Sequence, residues 1–341
     1  VNPLNDAPVM DAIVSQDTDE EAPLTITVSS SDVDSGTGEG DENDPTYSAE
    51  SDSPDDVAVS VVVDQLTMTP ALNFHGDVTI TVTVTDDGGL SDDTDFVLTI
   101  NPVADTPVIT GTTTLEDVQS DTGLVITRNT VDGVEVTHFK ITDITEGTLY
   151  QNDGTTQIGD DNFITYTEGN AGLKFSPSDN FNGTGSFKLQ ASLSSDDDGL
   201  GGDVATASIT VTAVNDVPSF TVGSDQAVLE DAGSQTVTGW ATAISTGPTD
   251  ESSQTLTFNI SGVNTGLFSV QPSVSSAGEL SYTPADDAHG SDTVTVTLSD
   301  NGGTENGGVD MSDPQTFTIT IDPVADTPVI TGTTTLEDVQ S

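Results

Sequence analysis

The stretch TPALNFHGDVTITVTVTDDGG, residues 69–89, decides the fold. After a turn at Gly76, valines and an isoleucine occupy every second position, and threonines fill most of the positions between them. A period of two predicts a β-strand with one buried and one solvated face. Residues 176–202 and 283–303 repeat the same order: a Thr-Pro or Ser-Pro start, a glycine turn, an alternating strand and an acidic, glycine-containing end.

A second alternating strand and then a short linker follow each of these stretches. The linkers read NPVADTP, TAVNDVP and DPVADTP, a similar VNPLNDAP opens the chain, and their prolines (Pro8, Pro107, Pro218, Pro328) stand about 110 residues apart. That spacing is the size of a seven-stranded β-sandwich. Short strands separated by Gly, Pro, Asn and Asp indicate an all-β chain. We therefore predict seven-stranded sandwiches over residues 1–101, 102–213 and 214–321.

The last twenty residues repeat an internal segment. Residues 322–341 match residues 101–120 at nineteen of twenty positions. This repeat predicts that 322–341 are the linker and first strand of a truncated fourth repeat, extended and loosely held after about residue 328. The second sandwich carries HFKITDITEGTLYQNDG, which has no counterpart in its neighbours, so we expect an array that alternates two domain types.

The charge balance excludes several classes of function. The 341 residues include 58 acidic and 4 basic side chains, a formal net charge of −54. Such a surface repels nucleic acid and anionic lipid and attracts cations. With no cysteine, the chain has neither disulfides nor Cys-ligated metal sites. A solvated acidic surface, as in halophilic or marine proteins, and a set of calcium ligands are both consistent with this composition, and we expect both.

Three features resemble a known family. SDVDSGTGEGDENDPTYSA at 31–49 is similar to the cadherin turn that precedes a strand tyrosine, and the linkers are similar to a shortened cadherin linker. Residues 244–258 and 267–290 resemble the cadherin-like tandem repeats of giant RTX-type bacterial adhesins, which are exported by type I secretion. The resemblance implies Greek-key β-sandwiches joined end to end, with Ca²⁺ as the cofactor in the joints.

Calcium binds six to eight oxygens, and the acidic residues fall in loops that a sandwich brings to its two ends. We call the end with the incoming linker the top and the opposite end the bottom. For the joint between the first two sandwiches the candidate ligands are Glu20 or Glu21, Asn73, Asn101, Asp105, and Asp196, Asp197 or Asp198. For the next joint they are Glu116, Asp179, Asn215, Asp216, Asp250 and Asp300.

Two half-sites complete the candidate set. At the top of the first sandwich the candidates are Asn2, Asp6, Asp32, Asp34 and Asp86, and at the bottom of the third they are Glu230, Asp286, Asp322 and Asp326. Asp117, Asp231 and Asp338 follow the bottom glutamates and are interpreted as solvating the edge. The second sandwich lacks an Asp-x-Asp turn and the third has PTDE there, which leaves the number of ions at each joint open.

Other chemistries find little support in the sequence. Paired catalytic carboxylates need a cleft, whereas these acids recur in end loops, so we expect no enzyme. His75 and His289 share a turn position with Asn182, which indicates a turn role rather than a metal or catalytic one.

We expect a monomeric, calcium-stiffened spacer of a secreted adhesin. The spacer would hold a ligand-binding tip away from the surface of a Gram-negative, marine bacterium for adhesion and biofilm formation. Its partners are calcium and neighbouring repeats, with neither nucleic acid nor membrane insertion. The alternative is a glycan- or protein-binding module, centred on the second sandwich.

Overall fold

The computed structural model describes residues 5–33, 45–328, 330 and 332. Strands hold 49% of the residues and helices 5%, and tandem Ig-like sandwiches make up the chain, which confirms the predicted fold class. The chain divides into two compact units, residues 1–211 and 212–341. Hydrophobic side chains of the described residues form two cores in the first unit and one in the second. The exact limits of the sandwiches stay a prediction.

Nine strands are described in the first sandwich. In chain order they are β1 (Val9–Met10), β2 (Gln16–Asp19), β3 (Leu24–Thr27), β4 (Ser30–Ser31), β5 (Thr46–Ser51), β6 (Val57–Val62), β7 (Gln65–Pro70), β8 (Gly76–Thr85) and β9 (Ser91–Asn101). One sheet has the order β2-β9-β8-β5 and the other β3-β7-β6, while β1 pairs with β4. Strand β2 runs parallel to β9, and all other described pairs are antiparallel.

The alternation in β8 builds the core of this sandwich. Val78, Ile80, Val82 and Val84 are all fully buried, and the threonines between them are only partly buried. Leu66 and Met68 of β7 cover them from the opposite sheet and are also fully buried. The buried side chains supply the hydrophobic stabilisation that a chain so rich in carboxylates requires.

The second sandwich departs from this plan. Its strands are β10 (Val108–Ile109), β11 (Thr112–Leu115), β12 (Ile126–Thr127), β13 (His138–Thr145), β14 (Gly147–Tyr150), β15 (Gln157–Ile158), β16 (Asn162–Thr165), β17 (Lys174–Pro177), β18 (Gly183–Ser192) and β19 (Leu200–Thr212). One sheet has the order β11-β19-β18-β13-β16 and the other β15-β14-β17, while β10 pairs with β12. Strands β15 and β16 follow the segment without a counterpart (residues 138–154), and each extends one of the two sheets.

One turn of helix, α1 (Tyr166–Asn170), follows β16 and begins at a capping box. The Thr165 hydroxyl accepts from the Glu168 amide, and the Glu168 carboxylate accepts from the Thr165 amide at 2.7 Å. Three-residue 3₁₀ helices are the other helices of the described residues, at Asp197–Gly199, Thr249–Glu251, Thr265–Leu267 and Glu305–Gly307. In the part of the chain that the structure describes, helices therefore fall far short of the length and apolar content that a membrane span needs.

The third sandwich repeats the plan of the first. Its strands are β20 (Ser219–Thr221), β21 (Gln226–Leu229), β22 (Gln235–Val237), β23 (Thr242–Ser245), β24 (Thr257–Ser261), β25 (Phe268–Val274), β26 (Leu280–Pro284), β27 (Gly290–Ser299) and β28 (Gln315–Asp322). The sheet orders are β21-β28-β27-β24 and β22-β26-β25, with β20 paired to β23 and β21 parallel to β28. Val294, Val296 and Leu298 of β27 are fully buried, as the alternation predicts.

Truncation of a core side chain should destabilise its own sandwich. Phe187 of β18 is fully buried in the core of the second sandwich. We expect Phe187→Ala to lower the free energy of unfolding by about 3–5 kcal/mol through lost burial and a cavity. Val204 of β19 is 50% exposed, so Val204→Ala should change stability by about 0.5 kcal/mol or less. Calorimetry of both variants tests this, and equal effects of the two substitutions would contradict the assigned core.

Candidate metal centres at the sandwich ends

A buried glutamate at the bottom of a sandwich fixes the outgoing linker. Glu20 follows β2 and its Oε1 accepts from the Val103 amide at 2.7 Å, and Glu230 follows β21 and its Oε1 accepts from the Val324 amide at 2.6 Å. Both glutamates are buried. Because a carboxylate that accepts a backbone N–H forms a charge-assisted hydrogen bond, each linker is tied to the sandwich it leaves.

The turn before the alternating strand faces the same glutamate in all three sandwiches. His289 Nδ1 lies 3.3 Å from Glu230 Oε2, and His75 Nδ1 lies 4.0 Å from Glu20 Oε2. In the second sandwich Asn182 Nδ2 donates to Glu116 Oε2 at 3.5 Å. These contacts place both histidines beside the bottom glutamates, and their turn role stays a prediction.

Left-handed backbone brings further acids to the bottom. The residue after each bottom glutamate and the residue three before each turn glycine have φ between 55° and 63°, namely Glu21, Asp117, Asp231, Asn73, Asn180 and Asp287. Asn and Asp tolerate this conformation better than most residues. In the third sandwich it places carboxylate oxygens of Asp231, Asp287 and Asp326 within 4.8 Å of one another, and all three residues are exposed.

The electrostatics of this bottom cluster reflect like charges held together. The pKa of Asp326 is raised above its ordinary value, chiefly by the charge of Asp287, and then by burial and by Asp231 and Glu230. From the sequence we predicted Asp326 as a calcium ligand, named Asp286 rather than its neighbour Asp287, and interpreted Asp231 as an edge residue. A left-handed φ at Asp231 and Asp287 sets the direction of their side chains, and the order of residues alone does not reveal it.

At the top of the second sandwich the incoming linker meets an acid that the sequence analysis missed. The Asp105 amide donates to Asp132 Oδ1 at 3.0 Å. Burial raises the pKa of Asp132, and the charges of Asp105 and Glu135 raise it further. The available signal was VDGVE at 131–135, an acidic loop between β12 and β13 that does not have the Asp-x-Asp spacing.

The top of the third sandwich has the same connection. The Asp216 amide donates to Glu251 Oε1 at 2.8 Å, and Glu251 is 7% exposed. Burial raises the pKa of Glu251, and the charges of Asp216 and Asp250 add to that shift. The sequence predicted Asp216 and Asp250 but missed Glu251, which stands next to Asp250 in PTDE and faces inward from a 3₁₀ helix.

An asparagine of the linker joins the top of the first and third sandwiches to the loop after the alternating strand. Asn5 Nδ2 donates to Asp86 Oδ2 at 3.0 Å, and Asn215 Nδ2 donates to Asp300 Oδ1 at 3.1 Å. Gln254 also donates to Asn215 Oδ1, at 2.7 Å. Asp86 and Asp300 were predicted at these tops, whereas Asn5 was missed in favour of its neighbour Asp6.

The other predicted ligands are placed as follows. Asn101 Nδ2 lies 3.5 Å from Asp19 Oδ1, and its carbonyl accepts from the Glu20 amide. Asp196 accepts from Ser194, and Asp197 accepts from Lys140. Four predicted ligands are exposed: Asp179, Asp198, Asp286 and Asp322. Asp6 lies in the linker that opens the chain, and Asp32 directly follows β4. Asn2 and Asp34 lie outside the described residues, as does Asp338, which was interpreted as an edge residue. Apart from Asp338, the assignment of these residues as ligands stays a prediction.

Buried oxygen atoms without a hydrogen-bond partner concentrate at two tops. Within the described residues there are five such side-chain atoms: Asp132 Oδ2, Glu251 Oε2, Gln254 Oε1, Asp300 Oδ2 and the Tyr282 hydroxyl. The first belongs to the top of the second sandwich and the next three to the top of the third. A buried polar atom without a partner is costly, so these oxygens are suited to a positive ligand.

Solved structures similar to this chain include several cadherins. Mouse cadherin-23 EC22-24 is 19% identical with a TM-score of 0.47, and the match covers 94% of this chain and 99% of that one. Human CDH23 EC21-23 is 12% identical with a TM-score of 0.45, covering 92% and 100%. The human desmocollin-1 ectodomain is 14% identical with a TM-score of 0.34, covering 93% and 62%. No curated protein sequence matches the chain significantly.

The sequence itself matches a bacterial domain family twice. The model of the bacterial Ig domain (Big_9) matches residues 5–99 and again residues 215–320, which together are more than half of the chain. The matched segments are the two sandwiches that share one strand order and one asparagine–aspartate contact at the top. The chain therefore belongs to the bacterial Ig domain family.

Proposed function

We propose that this chain is a stretch of spacer repeats from a large secreted bacterial surface adhesin, and that Ca²⁺ bound at the sandwich ends stabilises and stiffens it. The observation that carries the proposal is the position of the unpartnered buried oxygens. Four of the five within the described residues lie at a top where a linker meets two acidic loops. A spacer holds a ligand-binding tip away from the cell, and RTX-type export, surface location and a role in biofilms are parts of the same proposal.

The donor atoms at these ends suit calcium. They are carboxylate, amide and backbone carbonyl oxygens, and calcium takes six to eight such ligands in flexible geometry. Magnesium demands a near-ideal octahedron and keeps several waters, which fits these irregular loop ends less well. The residues that would hold ions are Asp105, Asp132 and Glu135 at the top of the second sandwich, Asp216, Glu251 and Asp300 at the top of the third, and Asp231, Asp287 and Asp326 at its bottom.

The linker between the first two sandwiches shows how this chain would use a cation. The Val103 amide donates to Glu20 of the first sandwich, and the Asp105 amide donates to Asp132 of the second. Glu20 Oε2 and Asp132 Oδ2 are not used in these two bonds, and Asp105 adds a third carboxylate. A divalent cation supplies the charge that removes the repulsion among these groups, and the two amide bonds keep the carboxylates oriented.

Calcium should change both stability and flexibility of the whole chain. Calcium that binds the folded state stabilises it by RT ln(1 + [L]/Kd), about 1.4–2.7 kcal/mol per site at 10 to 100 times Kd. Sites of the extracellular class have Kd values of roughly 0.1–1 mM. We expect a higher melting temperature and a stiffer, more extended particle by small-angle X-ray scattering in 10 mM CaCl₂ than in EDTA. Equal concentrations of MgCl₂ serve as the control, and identical melting and scattering in all three buffers would refute the proposal.

Asp105→Ala should weaken the response at the first linker. The variant removes a carboxylate next to Asp132 but keeps the backbone N–H that bonds to it. We expect the calcium-dependent rise in melting temperature to shrink while the protein stays folded in EDTA. Asp55, an exposed loop residue outside all clusters, provides the matched control Asp55→Ala. A full calcium response in the Asp105 variant would exclude this residue as a ligand.

Glu20 variants separate the structural role of the glutamate from its charge. Glu20→Ala leaves the partly buried Val103 amide without its acceptor, and we expect the free energy of unfolding to fall by about 1–3 kcal/mol in EDTA. Glu20→Gln keeps an acceptor oxygen and removes the charge, so it should stay close to the parent in EDTA and lose part of the calcium response. Urea denaturation with and without calcium measures both effects. A Gln variant with the full calcium response would limit Glu20 to a structural role.

A binding function remains the second candidate, and the second sandwich is where it would lie. All four basic residues of the chain are there: Arg128, Lys140, Lys174 and Lys188. The β14–β15 hairpin of this sandwich also lines a groove with Leu149, Ile158 and Asp160. A glycan array with the intact chain tests this candidate. Several specific hits that Lys140→Ala abolishes would favour a binding module over a pure spacer.

A further inference from the structure

The three sandwiches hold their incoming linkers in two different ways. In the first and third, the linker carries Asn-Asp, and the asparagine donates to an aspartate ten residues after the turn glycine (Asn5 to Asp86, Asn215 to Asp300). The second residue after that aspartate is glycine in both, Gly88 and Gly302. A Cβ at either glycine would collide with the asparagine side chain, so the D-x-G sequence is what admits this contact.

The second sandwich has apolar residues at both of these positions. Ala104 stands in place of the asparagine and Leu193 in place of the aspartate. Ala104 is 1% exposed and belongs to the hydrophobic core, and Leu193 packs against the same core. The Ala104 backbone also lies against Gly201, where a Cβ would meet the Ala104 carbonyl, and the Asp203 amide donates to Thr106 Oγ1 at 2.7 Å. We call the three residues Ala104, Leu193 and Gly201 the apolar latch.

The replacement of the asparagine and the aspartate by Ala104 and Leu193 changes the oxygen donors at the top of the second sandwich. In the third sandwich Asp300 uses Oδ1 to accept from Asn215, and its Oδ2 is buried without a partner. Glu251, more than nine-tenths buried, also has an unpartnered oxygen, Oε2, beside the linker residue Asp216. In the second sandwich Asp132 contributes the one atom of this kind at its top among the described residues.

We propose, on the basis of the spacer function above, that the chain has two classes of linker attachment. The linker into the third sandwich is held by a divalent cation on Asp216, Glu251 and Asp300, and the linker into the second is held by the apolar latch with or without a cation. The sequence distinguishes the two classes: N-D-x-P with D-x-G after the alternating strand denotes the first, and A-D-x-P without it denotes the second. The A-D-T-P repeated at 325–328 belongs to the second class.

Hydrogen–deuterium exchange on the intact chain tests the inference in calcium and in EDTA. Amides around 214–217 and 300–303 should exchange roughly tenfold faster in EDTA, because local opening is no longer opposed by a bound ion. Amides around 104–106 and 201–203 should accelerate clearly less, because the apolar latch still holds the linker when an ion on Asp105 and Asp132 is removed. Equal acceleration at both tops would overturn the two classes and leave the spacer proposal standing. No calcium effect at either top would overturn both.

A variant at each top provides matched evidence. Asp300→Asn keeps the size of the side chain and removes the charge, so calcium should no longer slow exchange at 214–217. Asp203→Asn, a neutralised carboxylate beside the apolar latch, is the control and should leave every calcium response unchanged. If Asp300→Asn fails to fold, Glu251→Gln replaces it in the same comparison. A parental calcium response at 214–217 in a folded variant of either residue would exclude that residue as a ligand.

Discussion

The structure depends on the hydrogen bonds that tie each linker to carboxylates of the sandwiches. Glu20 and Glu230 accept from the amide of a linker valine, and Asp132 and Glu251 accept from the amide of a linker aspartate. These carboxylates are buried or partly buried, so each has lost part of the hydration that stabilises its charge. A positive ligand would compensate for that loss. The geometry that orders the linker is therefore the same geometry that concentrates negative charge at it.

The apolar cores and the carboxylates of this acidic chain occupy separate parts of each sandwich. The cores consist of aliphatic and aromatic side chains, most of them on strands, and the carboxylates lie at the sandwich ends and on the solvated faces. With a formal net charge of −54, self-repulsion opposes compactness, and it is concentrated where carboxylates from different loops meet, as Asp231, Asp287 and Asp326 do at the bottom of the third sandwich. Cations at the ends would act where the repulsion is greatest.

The second sandwich shows that a tandem array need not use one joint throughout. It adds two strands and a turn of helix, carries all the basic residues, and replaces an asparagine–aspartate contact with Ala104 and Leu193. The family model matches the first and third sandwiches and leaves this one unmatched. An array that alternates the two types would alternate ion-dependent and packing-dependent attachments, so its mechanical response to calcium would vary along its length.

The sequence by itself determined the strands, the repeat length and the end of each sandwich where acids collect. These features follow from local rules: a period of two in β8 and β27, glycine turns, and linker prolines at a domain-sized spacing. Four of the predicted acids, Asp86, Asp105, Asp216 and Asp300, take part in hydrogen bonds at the tops. Which acids meet was decided by the tertiary structure alone. Asp132 and Glu251 come from loops that lack a regular acidic spacing. Asp231 and Asp287 take their side-chain directions from a left-handed φ. Contacts between residues far apart in the chain therefore set the positions of these acids.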